Sequence, residues 1–384
     1  MIVFTICSRN FTAYAKTLFN SLILHHPDAE FYMFLGDIVD ESYDTKSLPF
    51  KIIPFSELDI PDLAGMSQRY NITEFNTSIK PFAFLYLFNK LKKDFVLYFD
   101  PDILITSPMS EILDAISNGT NCLMTPHFLE PEEHFEISDQ TVLLHGIYNL
   151  GFIGLRNNAS VIKVVEWWSR RMVNECIIDL ERGLFVDQKW ADLFPAFIYN
   201  LTILHHPGYN VAYWNISNRK VKLVDGKWYS NDLPLRFFHF SGNKLEDPNI
   251  LSRHTPSYNR QNIGDVKLLL DIYREQVFAN GYETYIKQRY SFKWGGEKGI
   301  NKHAPEPLQK LDENVTVKQE SAPEEESNVQ PTLKEMFSTA WTHHGGFFNI
   351  FIRLINIIKS SGIQGIVKGI QDTKEVSRKK KRSK

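Results

Sequence analysis

Residues 95–105 read FVLYFDPDILI, in which two aspartates follow an apolar run. The run at 95–99 is short and rich in aromatic and aliphatic residues, which predicts a buried strand of a covered sheet. Asp100 and Asp102 then lie just past its C-terminal end, and the proline between them ends the ladder pairing. Burying an unpaired carboxylate is costly, and two neighbouring ones repel unless a cation lies between them. The stretch therefore indicates a divalent metal site with oxygen ligands.

The body of the chain alternates strand-like and helix-like segments, which predicts an α/β fold with a mostly parallel sheet and helices on its faces. The strand candidates are 2–6, 31–35, 50–54, 95–99, 121–125, 149–155 and 235–240. The helix candidates include 12–25, 78–91, 109–117, 159–175 and 265–279. In such sheets ligands bind outside the carboxyl ends of the strands, where Asp100 and Asp102 are expected.

Charge divides the chain of 384 residues into three parts. Residues 1–296 carry a net charge of −6 and are numerous enough to build a large core. Residues 297–331 carry −4 and are rich in Pro, Glu, Lys, Asn and Ser, the composition of a disordered linker. Residues 332–384 carry +8. We therefore expect a catalytic or binding body followed by a linker and a tail of separate function.

The basic tail at 332–384 contains a helix-like segment. Between 347 and 358 polar residues recur every three or four positions, which predicts an amphipathic helix. Charged residues and glycines interrupt the apolar run before the roughly 20 residues that a membrane span needs. Together with the basic run at 378–384, the helix suits attachment to an anionic membrane surface. The alternative is a helix that docks on the body or on a protein partner.

Cysteine usage and the first residues bear on the compartment. Cys7, Cys122 and Cys176 are widely spaced, so neither a disulfide framework nor a cysteine metal site is indicated and a reducing compartment is favoured. The sequence starts directly in a strand, without the features of a secretory signal. We expect a cytoplasmic protein, peripheral at the inner face of the cell membrane if the tail binds lipid. Nothing indicates a nucleic-acid partner, and no Gly-x-Gly-x-x-Gly supports a nicotinamide or flavin cofactor.

Asp-Pro-Asp after a strand has three interpretations. It can be a metal site that holds the diphosphate of a sugar nucleotide. It can also belong to an aspartyl-phosphate phosphatase whose first Asp is the nucleophile, although Leu104 stands where that pattern has Thr or Val. The third interpretation is a pair of turn aspartates that hydrogen-bond to the local backbone or cap a helix.

Further motifs resemble the glycosyltransferases of the GT-A fold, most closely family 8 and its bacterial relatives. In chain order they are TICSRNFTAYAKTLFNSL at 5–22, VLYFDPDILI at 96–105, YNLGFIGL at 148–155 with FVDQKWADLF at 185–194, and FFHFSGNK at 237–244. The resemblance implies a GT-A, Rossmann-like catalytic domain over 1–296 that takes a UDP-sugar donor and a glycan or glycolipid acceptor. The rival interpretation is a sugar-nucleotide or glycan binding protein without catalysis.

The resemblance also implies a metal set. Asp100 and Asp102 match the family's Asp-x-Asp, and His239 matches its third ligand. A mixed oxygen and imidazole set suits Mn²⁺, with Mg²⁺ as the alternative. Such a cation stabilises a departing nucleoside diphosphate. The alternative for His239 is a histidine packed at a strand end.

Donor-binding roles follow from the same resemblance. The end of the first strand is expected to face uracil and ribose, the Asn-x-Gly turn the transferred sugar, and the late Gly and Lys the β-phosphate. The donor-binding residues are expected to be Thr5, Ser8, Asn10, Lys80, Asp100, Asn149, Gly151, Gly242 and Lys244. The alternatives are Asn10 or Thr12 as a helix cap and Lys80 as a solvated lysine.

Asp187 and Gln188 match the family's acidic-amide pair beside the anomeric carbon, so the resemblance assigns them the catalytic position. It implies retention of configuration, with a phosphate oxygen accepting the proton of the acceptor and no side-chain base required. The alternative for Asp187 is an N-cap of the helix at 189–193. The aromatic-rich stretch HHPGYNVAYW at 205–214 is predicted to form a sugar-binding loop.

Overall fold

The computed structural model describes residues 1–41, 43–131 and 136–292. The predicted domain boundary at 296, the linker at 297–331 and the tail at 332–384 lie outside these residues. Among the described helices, none is long and apolar enough to cross a membrane.

Fourteen strands are present in the described part of the chain. In chain order they are β1 (Ile2–Cys7), β2 (Glu30–Leu35), β3 (Lys51–Pro54), β4 (Phe95–Phe99), β5 (Ile103–Ile105), β6 (Cys122–Pro126), β7 (Tyr148–Arg156), β8 (Ile178–Asp179), β9 (Leu184–Phe185), β10 (Leu201–Ile203), β11 (Val221–Val224), β12 (Lys227–Ser230), β13 (Leu233–Pro234) and β14 (Phe237–His239).

Seven of these strands form a central sheet in the order β10-β6-β7-β4-β1-β2-β3. Strand β7 runs antiparallel to β4 and β6, and the other pairings are parallel. The predicted α/β class with a mostly parallel sheet is therefore confirmed. Three short antiparallel groups complete the strands: β11-β12-β13, β14-β5 and β8-β9.

Ten α-helices accompany the strands in the described residues. They are α1 (Thr12–His25), α2 (Leu63–Arg69), α3 (Ile72–Ser78), α4 (Lys80–Asn89), α5 (Ser110–Ser117), α6 (Asp139–His145), α7 (Ala159–Met172), α8 (Phe194–Phe197), α9 (Val266–Ala279) and α10 (Tyr282–Tyr285).

The central strands are apolar on both faces, as expected for a sheet covered on both sides. One face packs against α4 and α7, and its core includes Phe4, Phe34 and Trp168. The other face packs against α1 and α5, and its core includes Val3 and Leu97. Successive side chains of each strand alternate between these two cores, which follows from the pleat. The three cysteines are buried and unpaired.

Two sequence predictions need correction. The helix predicted at 78–91 is divided, because α3 ends at Ser78 and α4 begins at Lys80 with Pro81 in its first turn, where a missing backbone N–H costs no hydrogen bond. The strand predicted at 235–240 does not join the central sheet, and β14 pairs with β5 instead. The edge strand of the central sheet next to β6 is β10 instead. It has only three residues, all half-buried, so its sequence does not resemble a strand.

Glu111, in the first turn of α5, ties this helix to the segments around β10 and β14. Its carboxylate accepts hydrogen bonds from Arg236 at 2.6 Å and from the hydroxyl of Tyr209 at 2.8 Å. Burial alone would raise the pKa of Glu111, but the hydrogen bonds from Arg236 and Tyr209 outweigh it and lower the pKa to about 2. Because the pKa is lower in the folded chain than its ordinary value of 4.5, the ionised carboxylate stabilises the fold.

We expect Glu111→Gln to lower the free energy of unfolding near neutral pH by about 1 kcal/mol, a value reduced by partial exposure. The difference from wild type should be full above about pH 4.5 and disappear as the pH falls towards about 2. Urea unfolding over this pH range measures it. Asp114→Asn, an exposed carboxylate on the same helix, is the control and should leave stability almost unchanged. A difference for Glu111→Gln that does not depend on pH would contradict the assignment.

Candidate functional site

Two aspartates and a histidine converge at the carboxyl end of β4. Asp100 and Asp102 follow β4, and the antiparallel pairing of β5 with β14 sets His239 beside them. The His239 Nε2 atom lies 3.1 Å from Asp102 Oδ1 and 3.6 Å from Asp100 Oδ2. One ligand atom from each of the three residues lies within 4.8 Å of the others. The sequence prediction that these residues meet is thus realised in the fold.

The imidazole of His239 is held from its other side. Its Nδ1 lies 3.1 Å from Asn210 Oδ1, and its ring packs edge-to-face against Trp214. Because an amide oxygen only accepts, Nδ1 carries the proton and Nε2 faces the aspartates. Burial lowers the pKa of His239, but the charges of Asp102 and Asp100 outweigh it and raise the pKa above its usual value.

Asp100 is fixed at both ends. Its backbone N–H donates to the carbonyl of Gly151 at 2.8 Å, and its carboxylate accepts from the hydroxyl of Tyr98. Burial raises the pKa of Asp100, and the charge of Asp102 adds to the rise while Lys80 and His239 oppose it. The carboxylates of Asp100 and Asp102 remain 29% and 22% exposed, so the cluster opens to solvent.

This donor set fits a divalent cation. Two carboxylates and one imidazole nitrogen face one point, and the imidazole is already orientated by a hydrogen bond from its far nitrogen, as metal-bound histidines usually are. Mixed oxygen and nitrogen ligands suit Mn²⁺.

The Asn149–Gly151 turn borders the cluster. A methyl group on Gly151 would come within 2.6 Å of His239 Nδ1, so this glycine makes room for the imidazole. Asn149 Oδ1 accepts from the backbone of Gly151 and from Asn210, each at 3.0 Å. Its Nδ2 faces Gln188 Oε1 at 3.3 Å and His127 Nε2 at 3.4 Å. The Asn149 amide thus links the Asp100, Asp102 and His239 group, through Asn210, to the predicted catalytic amide of Gln188.

Gln188 is buried, and its side-chain amide forms hydrogen bonds with two backbone groups. Its Oε1 accepts from Leu150 N at 3.0 Å, and its Nε2 donates to His145 O at 3.1 Å. These bonds lock the amide orientation against β7 and the end of α6.

Asp187 and Lys80 form an ion pair that is almost fully buried. Their nearest oxygen and nitrogen atoms are 2.5 Å apart, and both side chains are 2% exposed. Lys80 also donates to Leu150 O at 2.8 Å and lies 4.2 Å from the ring centroid of Tyr98. Burial raises the pKa of Asp187, and the ammonium of Lys80 opposes the rise. Asp187 therefore does not cap the helix at 189–193, and Lys80 is not a solvated lysine.

Buried polar side chains gather at the end of β1 and in the segment that follows it. Thr5 and Asn10 are buried, and neither Thr5 Oγ1 nor Asn10 Oδ1 has a hydrogen-bond partner in the described part of the chain. Ser8 Oγ accepts from Asn76 at 3.2 Å, and Asn10 Nδ2 donates to the Tyr290 hydroxyl at 3.0 Å. Helix α1 has no side-chain cap from Asn10.

Gly242 and Lys244 lie beyond β14. Gly242 has a φ of +70°, and a side chain there would come within 2.7 Å of His254 Nε2 and Ser252 Oγ, so only glycine fits. Lys244 is exposed, and among the described contacts none joins its ammonium to the aspartates.

Sequence reasoning missed three groups that the fold brings to the site. Asn210 lies inside the predicted aromatic loop and contacts His239 through its amide. His127 follows β6 and donates from Nδ1 to Ile147 O. Burial lowers the pKa of His127 to about 4, so the ring is neutral near pH 7. Its Nε2 is therefore an acceptor, and it faces Asn149. Asp37 accepts from the backbone of Ser291 at 2.6 Å and from the backbone of Arg9, the neighbour of Asn10 in the chain, at 2.9 Å. The sequence did contain a signal for Asp37 and His127, because they are polar residues just after the ends of β2 and β6.

No protein-family model matches the chain. The uncharacterized protein YfnD of Bacillus subtilis is 27% identical to it over 248 residues, which are 62% of this chain and 76% of YfnD. Among solved structures, the galactosyltransferase LgtC with donor and acceptor sugar analogues matches with a TM-score of 0.42 and 14% identity over 73% of this chain and 96% of LgtC. Mouse xyloside xylosyltransferase 1 matches with a TM-score of 0.38 and 11% identity over 62% and 97%. Both of these solved structures are glycosyltransferases.

We expect Lys80→Met to lower the free energy of unfolding by about 3–5 kcal/mol, because it leaves the buried carboxylate of Asp187 without a counter-charge. Asp187→Asn, which strands the ammonium of Lys80, should cost a similar amount. The double variant should lose much less than the sum of the two, since no unpaired charge remains. Thermal or urea unfolding of the four proteins measures the coupling. Additive losses would show that the two side chains do not act as a pair.

Proposed function

We propose that the protein is a metal-dependent glycosyltransferase that moves a hexose from a UDP-sugar to a glycan or glycolipid acceptor. The observation that carries this proposal is the convergence of Asp100, Asp102 and His239 at the carboxyl end of β4, the strand that pairs in parallel with β1. Open α/β sheets bind ligands outside the carboxyl ends of their strands, which supports this place for the donor.

Asp100, Asp102 and His239 would hold the cation, Mn²⁺ or Mg²⁺. When bound, it supplies Lewis-acid stabilisation of the nucleoside diphosphate that leaves as the glycosidic bond breaks. Two carboxylates alone would repel a diphosphate, so the site needs a positive charge before it can accept this ligand. The partial exposure of both aspartates is consistent with a site that leaves room for phosphate oxygens.

The buried polar side chains at the end of β1 support a nucleotide as the ligand. Thr5 Oγ1 and Asn10 Oδ1 are buried without a hydrogen-bond partner among the described residues, and such groups are costly to leave unsatisfied. N–H and O–H groups of a base or ribose are suitable partners. We therefore assign Thr5, Ser8 and Asn10 to the nucleoside part of the donor.

The surroundings of Gln188 favour a mechanism without a side-chain nucleophile or base. Gln188 Oε1 already accepts hydrogen bonds from Leu150 N and Asn149, and Asp187 is neutralised by Lys80. We propose retention of configuration, with a donor phosphate oxygen accepting the acceptor's proton. The longest bonds of Asn149, at 3.3 and 3.4 Å, are those that a sugar hydroxyl can replace most easily.

Incubation with a panel of UDP-sugars, with and without Mn²⁺, tests this function. We expect UDP release and transfer to acceptor in the presence of metal, and a loss of roughly 100-fold or more in turnover for Asp102→Asn, because several kcal/mol of charge stabilisation are removed. Asp94→Asn, at the other end of β4, is the matched control and should retain activity.

Two outcomes would overturn glycosyl transfer, and a third would overturn its dependence on metal. Binding of UDP-sugars without turnover would identify a binding protein. Hydrolysis of a phosphomonoester without UDP release would identify a phosphatase. Normal turnover in Asp102→Asn would contradict metal use even if transfer is observed.

We further propose that residues 332–384, with a net charge of +8, attach the enzyme to an anionic membrane surface. Co-sedimentation with vesicles containing phosphatidylserine should be strong for the full chain, weak for a chain lacking 332–384, and reduced by high salt. Equal sedimentation of both chains would contradict this role of the tail.

A further inference from the structure

The side chain of Asn210 lies between the metal cluster and the Asn149–Gln188 amide pair. Its Oδ1 contacts His239 Nδ1 at 3.1 Å. Its Nδ2 donates to Asn149 Oδ1 at 3.0 Å and to Thr125 Oγ1 at 2.8 Å. The residue is fully buried, so all of these bonds form away from water.

These bonds leave one orientation for the Asn210 amide. Both hydrogens of Nδ2 are used by Asn149 and Thr125, and Oδ1 has no hydrogen, so Oδ1 must be the atom that meets His239. His239 must then donate from Nδ1, which leaves Nε2 as the nitrogen on the side of the aspartates. Asn210 therefore fixes which nitrogen of His239 a cation can take in exchange for a proton.

The backbone at Asn210 is held separately from its side chain. Its φ is +51°, a left-handed conformation that Asn, Asp and Gly adopt most readily. Its carbonyl accepts from Asn215 Nδ2 at 3.1 Å, and Arg219 donates to the neighbouring carbonyl of Tyr209 at 2.6 Å. Because Asn215 is itself anchored to the carbonyl of His127, the loop and the end of β6 are tied together.

We propose that Asn210 is a positioning residue with two tasks. It orientates His239 for cation binding, and through Asn149 it aligns the amide of Gln188 beside the sugar site. This inference rests on the proposed glycosyltransferase function and its metal site. In this proposal one buried amide positions the residues on both sides of the donor. These are His239 on the phosphate side and Gln188 on the sugar side.

Three variants separate these tasks from a purely structural role. Asn210→Gly keeps the left-handed backbone and removes every side-chain bond. Asn210→Asp keeps an oxygen for His239 Nδ1 but replaces the donor to Asn149 with a second acceptor. Asn231→Gly is the control, because Asn231 also has a positive φ of +54° and bonds through its side chain to Lys220 N at 2.9 Å, outside this network.

Mn²⁺ binding to each full-length protein is measured by titration calorimetry, without donor. We expect Asn210→Gly to bind Mn²⁺ about 10–100-fold more weakly than wild type, the usual effect of losing a bond to the far nitrogen of a histidine ligand. Asn210→Asp should recover most of this affinity, and Asn231→Gly should match wild type. In steady-state assays with saturating Mn²⁺, Asn210→Asp should still show a raised KM for the UDP-sugar, because its carboxylate repels Asn149 Oδ1.

Each result has a defined meaning. Wild-type affinity for Mn²⁺ in Asn210→Gly, while Asp102→Asn loses it, overturns this inference and leaves the proposed function intact. Equal weakening in Asn210→Gly and Asn210→Asp also overturns the role in orientating His239. If the wild-type chain binds neither Mn²⁺ nor Mg²⁺ in the same titration, both the inference and the metal-dependent function are overturned. Thermal unfolding of every variant confirms that a folded protein was titrated.

Discussion

The site depends on the close approach of like charges at the end of one strand. Asp100 and Asp102 are separated by one proline, and burial raises the pKa of Asp100 because its charge is poorly hydrated. Such an arrangement is unfavourable unless positive charge is supplied nearby. His239 supplies part of it in the chain itself, and a divalent cation would supply the rest. The surrounding residues hold the two carboxylates in place despite the unfavourable free energy of their repulsion.

A second buried carboxylate lies near the first two and is paired with a lysine. Asp187 is as deeply buried as any carboxylate of the described chain, and Lys80 compensates it with an ion pair and a contact with Tyr98. Because Tyr98 in turn donates to Asp100, Lys80 and Asp100 are connected through one tyrosine side chain, its ring on one side and its hydroxyl on the other. The ammonium of Lys80 thus lies between the carboxylate of Asp187 and the ring of Tyr98.

Amide groups give the site its geometry. An ionised carboxylate only accepts hydrogen bonds, whereas an amide donates and accepts at defined positions, so a chain of amides transmits orientation. His239, Asn210, Asn149 and Gln188 form such a chain, with each link between 3.0 and 3.3 Å. Since most of these groups are buried, any rotation of one amide would leave buried donors or acceptors unsatisfied. The arrangement therefore has one stable state.

The sequence by itself determined the α/β class, most strands of the central sheet and the meeting of Asp100 and Asp102, because these depend on local apolar patterns and on neighbours in the chain. Tertiary structure alone decided that Lys80 pairs with Asp187 and that Asn210 orientates His239. These contacts join residues far apart in sequence, and the residue types involved are equally common on solvated surfaces. Only the folded chain shows which polar side chains lose their water and must find each other.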